Sequence, residues 1–179
     1  MPPPELIPLS ALVLRRVTPG DAERLSAVLA DSLEHLAPWM PWAVPDAVTP
    51  AAQREHLEAA VRNWEAGTDY EFALAHPNDG ALLGMCGLHR RIGPGAIELG
   101  YWLARDAVGH GYLTAAAGAL THVALEAPDV ERVEIHCDQA NLRSQAVPRR
   151  LGYRLDRVEP DEIDAPGELG RSMIWIYPQ

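Results

Sequence analysis

ELGYWLARDAVGHGYLTAAAGALTHVALE, residues 98–126, decides the fold. Glu98 to Leu103 is bulky and largely apolar, the composition of a half-buried strand. Gly109-His110-Gly111 interrupts it and allows positive φ or close backbone approach to a ligand. From Tyr112 the chain is alanine-rich, with Leu113, Ala116, Ala117, Leu120, Val123 and Ala124 at helical spacing. A glycine turn feeding a helix N-terminus leaves amide N–H groups unpaired at the positive end of the helix dipole. That is an anion site, and phosphate is its usual occupant.

Spacing narrows the ligand. A P-loop needs Gly-Lys-Ser/Thr, whereas Gly111 is followed by Tyr112 and Leu113. A dinucleotide fingerprint needs a third glycine where Thr114 stands, and an acidic residue for which Asp129 comes early and Asp138 late. The alternative to a phosphate site is a tight strand–helix connection.

Working outward, residues 1–10 are proline-rich and expected to be loose, and Ala11–Val17 reads as a first strand. Asp21 is placed to cap a helix running to about Ser32. An elbow follows, in which Trp39 and Trp42 are interleaved with prolines. Thr49-Pro50 opens a second helix that ends at Gly67. Residues 70–75 and 81–90 form a hairpin, and Gly93-Pro-Gly95 turns into the strand of residues 97–103. After the long helix come a strand at 131–137, a helix capped by Asn141, and strands at 152–158 and 171–177. The reading is one α/β (α+β) domain over residues 11–179, a mixed, mostly antiparallel sheet of about seven strands flanked by helices.

Composition excludes several classes. A net charge of −10 argues against nucleic-acid binding, which needs a basic face, and is compatible with a cationic substrate. Residues 112–127 are too short and too interrupted to span a bilayer, and the start, MPPPELIP, lacks the pattern of a signal peptide. Cys86 and Cys137 have neither framework nor ligand spacing and read as core residues in a reducing compartment. A cytoplasmic protein without metal is expected.

GYWL, then GHGY opening an alanine-rich helix, then Asn141-Leu-Arg-Ser144 and Leu151-Gly-Tyr153, resembles the GNAT acetyltransferase superfamily, most closely its RimJ/RimL-like branch of ribosomal-protein-serine N-acetyltransferases. The resemblance runs from Leu12 to Trp175. It implies the GNAT fold and transfer of an acetyl group from acetyl-CoA to a primary amine: a protein N-terminus, or alternatively a small amine or antibiotic. A non-catalytic coenzyme A-binding module is the competing class, and a homodimer is compatible with the family. The signature Arg/Gln-x-x-Gly-x-Gly/Ala stands here as Val108-x-x-Gly111-x-Leu113, so both flanking positions depart from it.

The resemblance also assigns residues. Val108, Gly109, His110, Gly111, Tyr112, Leu113 and Thr114 would cradle the pyrophosphate through the backbone. Backbone N–H groups where the Tyr101–Ala104 strand splays would meet the oxyanion, with Trp102, Leu103 and Ala104 at the cofactor, and Asn141, Arg143 and Ser144 would take the pantetheine arm and its sulfur. Ser144 would pass a proton to the leaving sulfur, because Pro148 stands where many relatives carry a tyrosine acid. A proline there cannot donate to the carbonyl of Ser144, so a water or an amide of the arm is the expected donor. Glu98 would be the base; the alternative is a cross-strand pair with Arg90 or Arg91. Trp39 and Trp42 would line the acceptor groove, the alternative being a core plug. His89, ending one strand, and His136, inside another, read as structural histidines, and His110 either lends charge to the phosphate or faces solvent.

Overall fold

The structure, a computed structural model, describes residues 2–178. Among the described residues, eight strands form one sheet: β1 (Leu6–Pro8), β2 (Val13–Arg16), β3 (Asp69–Ala75), β4 (Leu82–His89), β5 (Gly95–Leu103), β6 (Val130–Asp138), β7 (Arg154–Pro160) and β8 (Arg171–Tyr177). Their spatial order is β1-β2-β3-β4-β5-β6-β8-β7. Every neighbouring pair is antiparallel except β5 and β6, which are joined by a helical crossover.

Four helices cover the sheet: α1 (Ala22–Leu36), α2 (Pro50–Ala66), α3 (Tyr112–Leu125) and α4 (Leu142–Arg150). Sequence chemistry sets their ends. The Thr49 side chain accepts from the Ala52 amide with Pro50 in the first turn, and α2 stops at Gly67 in the left-handed region (φ 74°). Asn141 caps α4 by accepting from the Ser144 amide at 3.0 Å. The helix α3 buries Ala116, Ala117, Leu120 and Ala124, and the alanines let it lie close on the sheet.

Two apolar layers result. Ile97, Leu99, Leu103, Val133 and Ile135 pack toward α3 and α4. Ala73, Met85 and Trp102 pack on the opposite face toward α1 and α2, with Leu25, Leu29 and Leu57.

Three expectations are corrected. The segment expected to be loose begins at Met1, outside the described residues, but Leu6–Pro8 is an edge strand paired with β2 through Leu6↔Arg15 and Ile7↔Leu14. The sheet therefore has eight strands, since a proline is tolerated where the edge faces solvent. Helix α1 runs on to Leu36, because Glu34-His-Leu36 continues the helix until Pro38 approaches. Asp21 makes no side-chain cap to α1; its carboxylate instead takes Arg15 at 2.6 and 2.8 Å and the Thr18 amide at 2.9 Å.

Candidate active site

Strands β5 and β6 are paired only from Gly95↔Val130 to Glu98↔Glu134. Beyond that point the two strands have no paired residues among those described, so the sheet opens into a slot. Side chains alternate along a strand, so the slot has two differently furnished mouths. Leu99 and Tyr101 face α3 and α4 together with Cys137. Glu98, Gly100 and Trp102 face the other way, and the register sets Gly87, His89 and His136 on that same side. A groove of about 730 Å³ runs through the slot, lined from both faces.

On the α3 side, Gly109 and Gly111 adopt φ of 90° and 76°, values that exclude most side chains, and Gly111 starts α3 with no side-chain cap. The first-turn amides of Tyr112, Leu113 and Thr114 have no carbonyl one turn earlier in α3 to bond. A polyanion fits this end, and an extended arm carrying amides fits the unpaired edge of β5 and β6. These observations match coenzyme A, whose thioester supplies the acetyl group. The His110 ring is exposed, stacks on Tyr112 with centroids 5.3 Å apart and leans on the Ala107 carbonyl. Thus His110→Ala should change the acetyl-CoA Kd less than about threefold. Gly111→Val must hold a β-branched residue at positive φ, a strain of about 1–3 kcal/mol, and should weaken Kd about tenfold or more. Calorimetric titration of both variants checks this; equal small losses would refute backbone binding.

Among the other residues expected at the coenzyme, Trp102 lines the groove, while Leu103 is buried in the core. The Ala104 amide is already bonded to the Leu83 carbonyl at 2.8 Å. Val108 is exposed at the turn. Arg143 is exposed on α4, and with Arg105 and burial it holds the His35 imidazole below its usual pKa, burial contributing most.

Asn141 and Ser144 both line the groove. Helix α4 continues through Pro148, and the freed Ser144 carbonyl accepts from the Tyr101 hydroxyl at 3.0 Å. The same hydroxyl lies 3.3 Å from Ser144 Oγ. Its one proton is committed to the carbonyl, so at Oγ it accepts, and Ser144 keeps a weakly restrained rotor at the slot. Burial raises the Tyr101 pKa and keeps the phenol protonated. The sequence places Tyr101 in the splaying strand but does not reveal the role of its hydroxyl, whose only trace is the need for a donor that Pro148 creates.

On the other side, Trp39 and Trp42 line the groove, and Trp42 is 41% exposed with its ring 6.2 Å from that of Trp102. They wall a cleft rather than plug a core. Glu98 also lines it, only 13% exposed, and is held by Arg91 through bonds of 2.7 and 2.6 Å. Burial pushes the Glu98 pKa up, but Arg91, then His136 and His89, outweigh it and hold the group below the usual carboxylate range. Arg90 pairs with Asp129 instead. His89 and His136 are in the groove lining, which sequence reasoning did not anticipate.

Known proteins are similar to this chain in sequence and in fold. The family model described as "Acetyltransferase (GNAT) domain" matches residues 11–154. YdaF of Bacillus subtilis (strain 168), named as a ribosomal N-acetyltransferase, is 31% identical over 154 residues, covering 79% of this chain and 77% of its own. Among solved structures, RimL, a ribosomal L7/L12 alpha-N-protein acetyltransferase in complex with coenzyme A, superposes with TM-score 0.86 at 22% identity over 96% of this chain and 97% of that one. Mycobacterium smegmatis RimJ, with coenzyme A disulfide, gives TM-score 0.85 at 22% identity over 99% and 90%. With a glycine turn before α3, a split between β5 and β6, and Asn141 and Ser144 at that split, the chain belongs to the GNAT family and is an acetyl-CoA-dependent N-acetyltransferase, 31% identical to a ribosomal N-acetyltransferase.

Proposed function

We propose that the acceptor is the α-amine of a protein N-terminus, as the name of RimL indicates for that protein, and that a ribosomal protein in the cytoplasm supplies it, the names of both YdaF and RimL being ribosomal. The observation that carries this reading is the open groove. It is open to solvent beside Trp39 and Trp42 and reaches the slot from the face opposite α3, where a chain continuing past its terminal amine has room to leave. Its lining holds Glu71, Glu98, Asp161, Glu162 and Glu168 against Arg91, a field that draws in a cationic terminus. Trp39 and Trp42 give the first side chains of a peptide a flat apolar wall. Paired with Arg91, Glu98 attracts an ammonium better than it removes a proton from one.

Intact-mass analysis after incubation with acetyl-CoA, using N-terminal peptides of ribosomal proteins beside a panel of small amines and aminoglycosides, tests the reading. A gain of one acetyl group on a peptide supports it; acetylation of small amines alone would replace it. Trp42→Ala should raise the peptide KM about tenfold and leave the acetyl-CoA Kd unchanged, as steady-state kinetics and titration will show. An unchanged KM, or loss of folding by circular dichroism, would return the tryptophan to a packing role.

A further inference from the structure

We propose that His89, held by Asp69, is the general base that takes the proton from the acceptor amine; the inference rests on the acceptor reading above. An amine terminus reaches the enzyme largely as an ammonium and attacks only after losing a proton. Glu98 is occupied by two bonds to Arg91 and is held in its ionised form, which makes it a weak proton acceptor.

His89 is differently placed. It is the register partner of Asp69 on β3, and its Nδ1 lies 2.8 Å from Asp69 Oδ1. An ionised carboxylate only accepts, so Nδ1 carries the hydrogen and Nε2 of the neutral ring carries the lone pair. That nitrogen lies over the floor of the groove, where Gly87 faces Gly100 across β4 and β5. A Cβ on Gly87 would sit 2.5 Å from Nε2, and one on Gly100 would sit 3.5 Å away. The two glycines make the hollow in which the imidazole lies, with its basic nitrogen turned away from Asp69 on β3 toward β5. The ring bonds Asp69 of β3 and has Glu98, its register partner on β5, beside it; Arg91, which holds Glu98, His136 of β6 and the His56–Glu71 pair line the same groove.

The protons balance. His89 Nε2 takes one from the ammonium and later returns it to solvent. The neutral nitrogen attacks the thioester carbon, the C–N bond forms and the C–S bond breaks. The second amine proton reaches the leaving thiolate, beside which Ser144 stands on the far side of the slot. Asp69 is a positioning residue that fixes the tautomer and steadies the imidazolium.

The test uses His89→Gln and Asp69→Asn with a peptide beginning in serine, assayed by coenzyme A release. His89→Gln should lower kcat about 100-fold with the acetyl-CoA Kd within twofold, and Asp69→Asn about tenfold. The deficit of His89→Gln should shrink to less than about fivefold when the α-amine is replaced by an α-hydrazine, which is neutral at pH 7. An undiminished deficit, or wild-type kcat with either acceptor, would overturn the assignment. Wild-type protein that acetylates no peptide would refute the acceptor reading instead. Nitrogen-15 spectra of the ligand-free protein, assigned with His89→Gln, then judge His89 separately: a neutral ring protonated on Nδ1 sustains it, and one protonated on Nε2 refutes it.

Discussion

Ser144→Ala should lower kcat about 100-fold while the acetyl-CoA Kd changes less than threefold. The proton for a leaving thiolate matters only as the C–S bond breaks, so its loss is felt in the transition state and not in the bound complex. The hydroxyl is positioned by its own helix: Asn141 takes the Ser144 amide, Pro148 denies its carbonyl the usual partner, and Tyr101 fills that vacancy. Two companion variants separate chemistry from support. Tyr101→Phe leaves the carbonyl without a donor and should reduce both stability, by about 1–3 kcal/mol, and kcat. Pro148→Ala restores a backbone donor to Ser144, releases Tyr101 and should reduce kcat while raising the melting temperature. Wild-type kcat in Ser144→Ala would reduce the serine to an ordinary first-turn residue.

Asp21→Ala should destabilise the protein by about 3 kcal/mol, visible as a fall of about 6–12 °C in melting temperature. Asp21 is 6% exposed and takes a bidentate bond from Arg15 besides the Thr18 amide, so removing it strands a half-buried guanidinium and an amide. Burial pushes the Asp21 pKa up, yet Arg15 and Thr18 outweigh it and the net shift is downward. A lowered folded-state pKa gives stability that is fully present above the unfolded carboxylate value of about 3.9 and is lost as pH falls through the folded one. The gap between wild type and Asp21→Ala should therefore be constant from pH 5 to 8 and narrow below about pH 4. A gap that stays constant to pH 2 would show that the pair contributes packing and not charge.

The strand–turn–helix of residues 98–126 was legible because three independent signals coincide there: apolar bulk, paired glycines and alanine spacing. The ends of α2 and α4 were legible because Thr49-Pro50, Gly67 and Asn141 act locally. What escaped depends on partners that only the folded chain brings together. Leu6–Pro8 becomes a strand only because β2 offers an edge, and nothing within three residues between prolines announces that. Asp21 has the right type for a cap, but Arg15 outcompetes the helix amides for its carboxylate. Tyr101 lies 43 residues from Ser144, and His89 lies 20 from Asp69. Both contacts follow from strand pairing or helix docking, which composition does not fix. The branch resemblance located the Asn141 turn and the tryptophan elbow, while the glycine pair beneath His89 carried meaning only once β4 and β5 were in register.

The opening between β5 and β6 also constrains the order of events. It is a passage with one doorway among α3 and α4 and another beneath the tryptophan elbow, so donor and acceptor need not exchange places at a single entrance. Both can be resident together, and the acetyl group has only to cross the thickness of a sheet. No acetylated enzyme is required as a way-station. Double-reciprocal plots should intersect rather than run parallel, each product should leave by the doorway its parent used, and a single molecule joining coenzyme A to a peptide terminus by a short tether should occupy the whole passage and compete with both substrates.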